Sequence, residues 1–132
     1  MRYLLDTNMC IYIIRKRPSQ VLERFKTFRI SEIGISAITL SELEYGVAKS
    51  GWPDQNREAL IEFLRPLEIL SFDERAARYY GEVRAHLERK GKPVGAMDLL
   101  IASHAISLSV PLVTNDIRGF KGIPGLQLDN WV

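Results

Sequence analysis

Four acidic side chains stand where the chain leaves short apolar runs or enters the helices beside them: Asp6, Glu42, Asp98 and Asp116. Asp6 follows Leu4-Leu5, and Asp116 comes just after Leu112-Val113. Glu42 lies about two turns into the helix expected after Ile33-Gly34-Ile35, and Asp98 opens the helix expected before Leu112. Each acid alone has a plainer use. Asp6 suits a helix N-cap, Asp98 a first-turn acid favoured by the helix dipole, Glu42 a solvated glutamate, and Asp116 a turn residue. Their neighbours argue for chemistry. Asp98 precedes Leu99-Leu100-Ile101-Ala102, and Glu42 sits among Ile38, Leu40, Leu43 and Tyr45, with no basic residue one turn from either. A charge in apolar surroundings costs free energy unless it is paired or metal-bound. Gathered in one pocket, the four would repel one another and raise at least one pKa. A divalent cation reverses that balance, polarises a phosphate and activates water, which is the chemistry of phosphodiester hydrolysis.

Helical geometry separates the local alternatives. Glu44 is about 200° from Glu42 and belongs on the surface, whereas Thr39 shares a side with Glu42 and offers a second oxygen to the pocket. The single cysteine, Cys10, excludes an internal disulfide, and with only His86 and His104 beside it the chain cannot build a thiolate–imidazole zinc site. Oxygen ligands therefore have to dominate, which favours Mg2+ or Mn2+.

The elements that position these acids follow from periodicity and punctuation. Strands are expected at Tyr3 to Leu5, Ile33 to Ile35, Leu67 to Leu70, Pro111 to Val113 and, fifth, Leu126 to Leu128. Helices are expected over 7–14, 19–28, from the Ser36 cap to about Lys49, from Pro53 to about Arg65, over 73–90 and over 96–107. Short apolar strands alternating with helices imply a parallel sheet covered on both faces. The fold class is α/β, a three-layer α/β/α sandwich on a sheet of four to five strands. Ligands of such sheets bind at the carboxyl ends of the strands.

With 132 residues, 46% hydrophobic and 26% charged, the chain reads as one globular domain spanning 1–132. No apolar run reaches the ~18 residues of a membrane helix, and the early charge at Arg2 argues against a signal peptide, so a cytoplasmic protein is expected. The net charge of +2 is uninformative until four of the 16 acids are withdrawn into a pocket; 18 basic side chains then face 12 acidic ones, a surface balance of +6 that favours a phosphate polymer.

The motifs Leu5-Asp6-Thr7-Asn8, Ser36-Ala37-Ile38-Thr39-Leu40-Ser41-Glu42-Leu43 with Tyr45-Gly46, Gly95-Ala96-Met97-Asp98-Leu99-Leu100-Ile101-Ala102, Thr114-Asn115-Asp116 with Phe120, and the closing Leu126 to Trp131 carry a family pattern in order. The sequence resembles PIN-domain proteins, and among them the VapC toxins, along essentially its whole length. The resemblance implies a Mg2+- or Mn2+-dependent endoribonuclease, a homodimer, an RNA substrate and neutralisation by a VapB-type antitoxin. It implies Asp6 and Asp98 as direct ion ligands, Asp116 as a ligand direct or through water, and Glu42 as the group that orients water or holds a second ion. Thr7, Asn8, Thr39, Thr114 and Asn115 are the implied supporting groups. The stretches 18–25, 44–50 and 91–95 resemble the branch that cuts initiator tRNA in its anticodon loop, some members of which carry Asn at the position of Asp116. The two helices flanking Gly51-Trp52-Pro53 are the implied clasp for the antitoxin, which could silence the site by placing an Arg among the acids.

Candidate RNA contacts are basic groups near the acidic edge: Arg118, Lys121 and Lys92, with Arg15-Lys16-Arg17, Arg89 and Lys90 as further clusters. Tyr45, Trp52, Tyr79, Tyr80 and Trp131 are expected in the core before an interface, His104 as a hydrogen-bonded structural residue, His86 at the surface, and Cys10 as a buried packer. Two other classes compete. A receiver-like phosphoacceptor module would need paired acids after the first strand and a reactive Asp73, but Asp6 stands alone and Asp73 reads as a helix cap. A structure-specific DNA nuclease would share the ion chemistry but need helical additions for which this chain has no room.

Overall fold

A computed structural model describes residues 1–132. The apolar runs form β1 (Tyr3–Leu5), β2 (Ile33–Ser36), β3 (Glu68–Leu70), β4 (Leu112–Val113) and β5 (Leu128–Asp129). All pair in parallel, in the order β3-β2-β1-β4-β5. The helices are α1 (Thr7–Arg15), α2 (Ser19–Lys26), α3 (Ala37–Lys49), α4 (Pro53–Leu64), α5 (Glu74–Arg89), α6 (Ala96–Leu108) and the short α7 (Ile117–Phe120). This is the expected three-layer α/β/α sandwich.

Side chains alternate across each strand, so successive residues feed opposite cores. Leu5, Ile33, Ile35 and Val113 pack with Met9, Ile13, Val21, Leu43, Val47, Leu60 and Phe63 from α1 to α4. Leu4 and Leu112 face the other way, onto Val83, Leu87, Leu99, Ile101, Ala102 and Phe120 of α5 to α7. Leu4, Leu5, Leu112 and Val113 are fully buried. Truncating one such leucine to alanine costs about 2–5 kcal/mol, so the central strands, though only two or three residues long, are firmly placed.

Several boundaries differ from the sequence expectation. The fifth strand begins at Leu128, because Leu112 pairs with Leu128 and Val113 with Asp129, while Leu126 N is turned back to Ile123 O. Helix α2 ends at Lys26, where Thr27 N and Oγ1 both return to Arg24 O and Phe28 N to Phe25 O, a tightened last turn. Phe28 is thereby released to stack on Trp131 at 5.2 Å, with Tyr3 against both rings. Trp131 lies in the core as expected. Tyr45 and Trp52 do not: they are 64% and 73% exposed on α3 and at the start of α4. No helix is long and apolar enough to cross a membrane.

Candidate metal centre at the carboxyl edge of the sheet

The register of the three central strands builds the site. Leu5 pairs with both Ile35 and Val113, so the residues that follow, Ser36, Asp6 and Thr114, come off the sheet side by side. Alternation turns this row away from the α1–α4 core and toward α6, the helix that carries Asp98. All three are buried, Asp6 at 5% exposure.

Asp6 does two things at once. Its Oδ1 accepts from Met9 N at 2.8 Å and caps α1, and the Thr114 hydroxyl bonds the same carboxylate. The capping use and the pocket use coincide in one geometry. Burial pushes its pKa from 3.8 up to about 6; the bonds from Thr114 and Met9 oppose that rise, and the charges of Asp98 and Asp116 add to it. Asp98, the third residue of α6, is also raised, by burial first and then by Glu42 and Asp116. Asp98 is thus within electrostatic reach of the other three acids, and Asp6 of Asp98 and Asp116.

Glu42 is half-buried on α3, and its Oε1 accepts the Thr7 hydroxyl at 2.5 Å, tying α3 to the first turn of α1. Glu44, on the other side of α3, pairs with Arg57 at 2.8 Å on the surface, as helical geometry required. Asp116 is exposed and caps α7: its Oδ1 accepts from Gly119 N at 3.1 Å, while its own N donates to Thr114 Oγ1 at 3.0 Å. A Cβ at position 119 would run into the Asp116 carboxylate and push it off Gly119 N, so glycine suits the close approach that caps α7. That four-residue helix is too short to leave a periodic signal, and only the Asp-x-x-Gly spacing could have announced it.

Among the supporting groups, Thr39 is fully buried and its hydroxyl has no partner. Asn115 Nδ2 donates to the Tyr12 hydroxyl at 2.8 Å, and its buried Oδ1 is likewise without a partner. Asn8 is exposed on the first turn of α1. Arg118 on α7, Lys121 at its C-cap and Lys92 between α5 and α6 are all exposed and outside the chain's ion pairs. Asp73 is engaged as the cap of α5, its Oδ1 accepting from Ala76 N at 3.0 Å. The sequence reading named Ser36 only as a cap and His104 only as structural; the two meet directly, His104 Nδ1 lying 2.7 Å from Ser36 Oγ. A polar residue closing an apolar strand is the one signal that could have marked Ser36.

The site's chemistry suits a cation. None of the five ion pairs involves Asp6, Glu42, Asp98 or Asp116. Asp6 is buried and Glu42 half-buried, while Asp98 and Asp116 open to solvent; no basic side chain neutralises them, and Thr39, one turn from Glu42, and Asn115, beside Asp116, each carry an orphaned oxygen. Such an all-oxygen donor set fits a hard divalent ion. No three of these carboxylates stand close enough together to form a finished ligand set; Asp6, Glu42 and Asp116 each accept a hydrogen bond, from Met9 N, Thr7 Oγ1 and Gly119 N.

A parallel α/β/α sheet with an acidic carboxyl edge defines a class of protein, and the PIN domain model matches residues 3–126 of this chain. The chain is 48% identical over 132 residues to ribonuclease VapC2 of Rickettsia felis, covering 99% of this chain and 98% of that protein. It is 44% identical over 131 residues to the tRNA(fMet)-specific endonuclease VapC of Salmonella typhimurium, covering 99% and 98%. Among solved structures, VapBC2 of Rickettsia felis bound to a DNA fragment from its promoter matches with a TM-score of 0.93 at 46% identity over 100% of both chains. DNA-bound VapBC of Salmonella typhimurium matches with a TM-score of 0.95 at 43% identity over 100% of this chain and 99% of that one. The chain belongs to the PIN-domain family, among the VapC ribonucleases.

Proposed function

We propose that this chain is a divalent-metal-dependent endoribonuclease, the toxin of a toxin–antitoxin pair, acting in the cytoplasm on a tRNA anticodon loop, initiator tRNA first. The observation that carries the reading is the convergence of acids on the carboxyl edge of the sheet, Asp98 lying within electrostatic reach of Asp6, Glu42 and Asp116, with no basic side chain paired to any of them. Support for the substrate comes from the relatives whose names specify tRNA(fMet).

In this reading Asp6 and Asp98 hold Mg2+ or Mn2+, with Asp116 beside them. The ion, when bound, supplies Lewis-acid polarisation of the scissile phosphate and lowers the pKa of water. The chain's residues do the rest. Glu42, fixed through Oε1 by Thr7, keeps Oε2 available to orient the attacking water and take its proton as the new P–O bond forms and the scissile P–O bond breaks, the departing ribose oxygen taking a proton from solvent. The Thr114 hydroxyl holds Asp6 in place. Arg118, Lys121 and Lys92 hold neighbouring phosphates of a single-stranded loop, whose unstacked bases and backbone are accessible.

The antitoxin has a matching surface. A groove of about 250 Å³ runs between α1, α3 and α4, lined by Ile11, Ile14, Leu43, Val47 and Leu60, with Glu42 and Arg15 on its wall. It suits the apolar face of a VapB-type helix, and Glu42 gives an inhibitory Arg a carboxylate to meet. Incubating the chain and its Asp6→Ala variant with initiator tRNA and Mg2+ tests the reading. Cleavage by the unaltered chain alone is expected; equal cleavage by both removes the acids from the mechanism.

A further inference from the structure

Glu42 and Asp98 come from helices on opposite faces of the sheet, α3 in one core and α6 in the other. A shared site needs something that fixes one helix against the other. The sheet supplies part of this. The rest passes through a buried polar chain at the carboxyl end of β2.

Ser36 closes β2 and is the N-cap of α3, its Oγ accepting from Ile38 N at 3.0 Å. It is fully buried and sits one strand from Asp6 in the register. Strand alternation puts Ile35 into the α1–α4 core and turns Ser36 the other way, toward α6. There it meets His104 Nδ1 at 2.7 Å. His104 is 1% exposed. The Ser71 backbone carbonyl, at the end of β3, accepts from its other ring nitrogen, and the Phe72 ring packs edge-on at 5.4 Å. Burial holds the imidazole below its ordinary range against the opposing pull of Asp73, so it is neutral. A neutral imidazole has one donor and one acceptor. Because Ser36 Oγ already accepts from Ile38 N, its hydroxyl donates to Nδ1, which leaves the proton of the neutral ring on Nε2, on the side of the Ser71 carbonyl. Ser36 Oγ thereby bridges the first turn of α3, through Ile38 N, and the His104 ring of α6.

We propose that His104 is a positioning residue for the acidic site, acting through Ser36 to lock the start of α3 against α6 and so to set Glu42 opposite Asp98. It touches neither substrate nor ion. This rests on reading the acids as ion ligands, and the experiment separates the two ideas.

The probe is Mn2+ alone, its uptake followed by the electron paramagnetic resonance signal of the free ion, with cooperative unfolding checked for each variant. His104→Leu fills the apolar space but removes both polar contacts, whereas His104→Asn keeps an acceptor near the position of Nδ1. The relay predicts about tenfold weaker Mn2+ binding for His104→Leu, as expected for groups that orient ligands from behind, and recovery of most of that loss in His104→Asn. A packing role predicts the reverse order, because leucine suits an apolar site better than asparagine. Ser36→Ala, a smaller change in case the histidine variants fail to fold, should weaken binding to a similar degree, and combining it with His104→Leu should add little. Mn2+ uptake by His104→Leu or Ser36→Ala equal to that of the unaltered chain, or weaker uptake by Asn than by Leu, overturns the relay. Failure of the unaltered chain to take up Mn2+ strikes the ion-binding reading instead.

Discussion

Replacing Asp6 with Asn should stabilise the metal-free chain near neutral pH while abolishing its activity. The fold raises the Asp6 pKa from 3.8 to about 6, so the folded state binds that proton more tightly than the unfolded state. Below pH 3.8 both states are protonated and the residue is neutral to stability. Between 3.8 and 6 the unfolded chain ionises first, and above 6 the buried charge costs its full amount, about 3 kcal/mol. The asparagine has no such charge and remains a good N-cap for Met9 N. Its advantage over the unaltered chain should therefore be about 3 kcal/mol at pH 7.5 and shrink to about 1 kcal/mol at pH 4.5. Any fixed cost of exchanging a carboxylate oxygen for an amide cancels between the two pH values. Urea unfolding in EDTA at both pH values reads the difference directly. Excess Mn2+ at pH 7.5 should then stabilise the unaltered chain and leave the variant unmoved. Stability profiles for the two proteins that run parallel from pH 4.5 to 7.5 would refute the claim that burial of Asp6 is what the fold must offset.

Thr7→Val removes the hydroxyl that holds Glu42 Oε1 and should lower tRNA cleavage about tenfold, the worth of one charge-assisted hydrogen bond, with little change in unfolding midpoint. Glu44→Gln breaks only the exposed pair with Arg57; stability should change by less than about 1 kcal/mol, and cleavage should match the unaltered chain, in contrast to Glu42→Gln. Asp116→Asn keeps an acceptor for Gly119 N and should retain more activity than Asp98→Asn in the same assay, whereas Gly119→Ala, which drives a methyl into that carboxylate, should destabilise the chain by about 1–3 kcal/mol in thermal unfolding.

Asp6 and Asp116 were legible because each follows an apolar run, and a run of two fully buried residues such as Leu4-Leu5 or Leu112-Val113 has few uses outside a covered parallel sheet; Glu42 and Asp98 were legible as charges among apolar helical neighbours with no basic partner a turn away. What could not be read was pairing. Leu126-Gln127-Leu128 carries a strand pattern, yet the backbone bonds offered by β4 select Leu128–Asp129. Strand order, and with it the adjacency of Ser36, Asp6 and Thr114, is a property of the assembled sheet. Hydroxyl partners were equally hidden: nothing local in Thr7 specifies Glu42, 35 residues away, nor does Asn115 specify Tyr12. Tyr45 and Trp52 were misplaced because size and aromaticity argue for burial, while α3 and α4 spend their inward positions on Leu43, Val47, Leu60 and Phe63.

The side-by-side row at the ends of β1, β2 and β4 has a consequence for how this sequence can diverge. A strand repeats every two residues, so one inserted or deleted residue in any of these three short segments would rotate its terminal side chain half a turn, burying a carboxylate or hydroxyl against Met9 and Leu43 and evicting a leucine from the opposite layer. Length changes of that parity are barred there. The exposed turn at Gly51 carries no such parity constraint, and length variation among descendants of this chain should accumulate there.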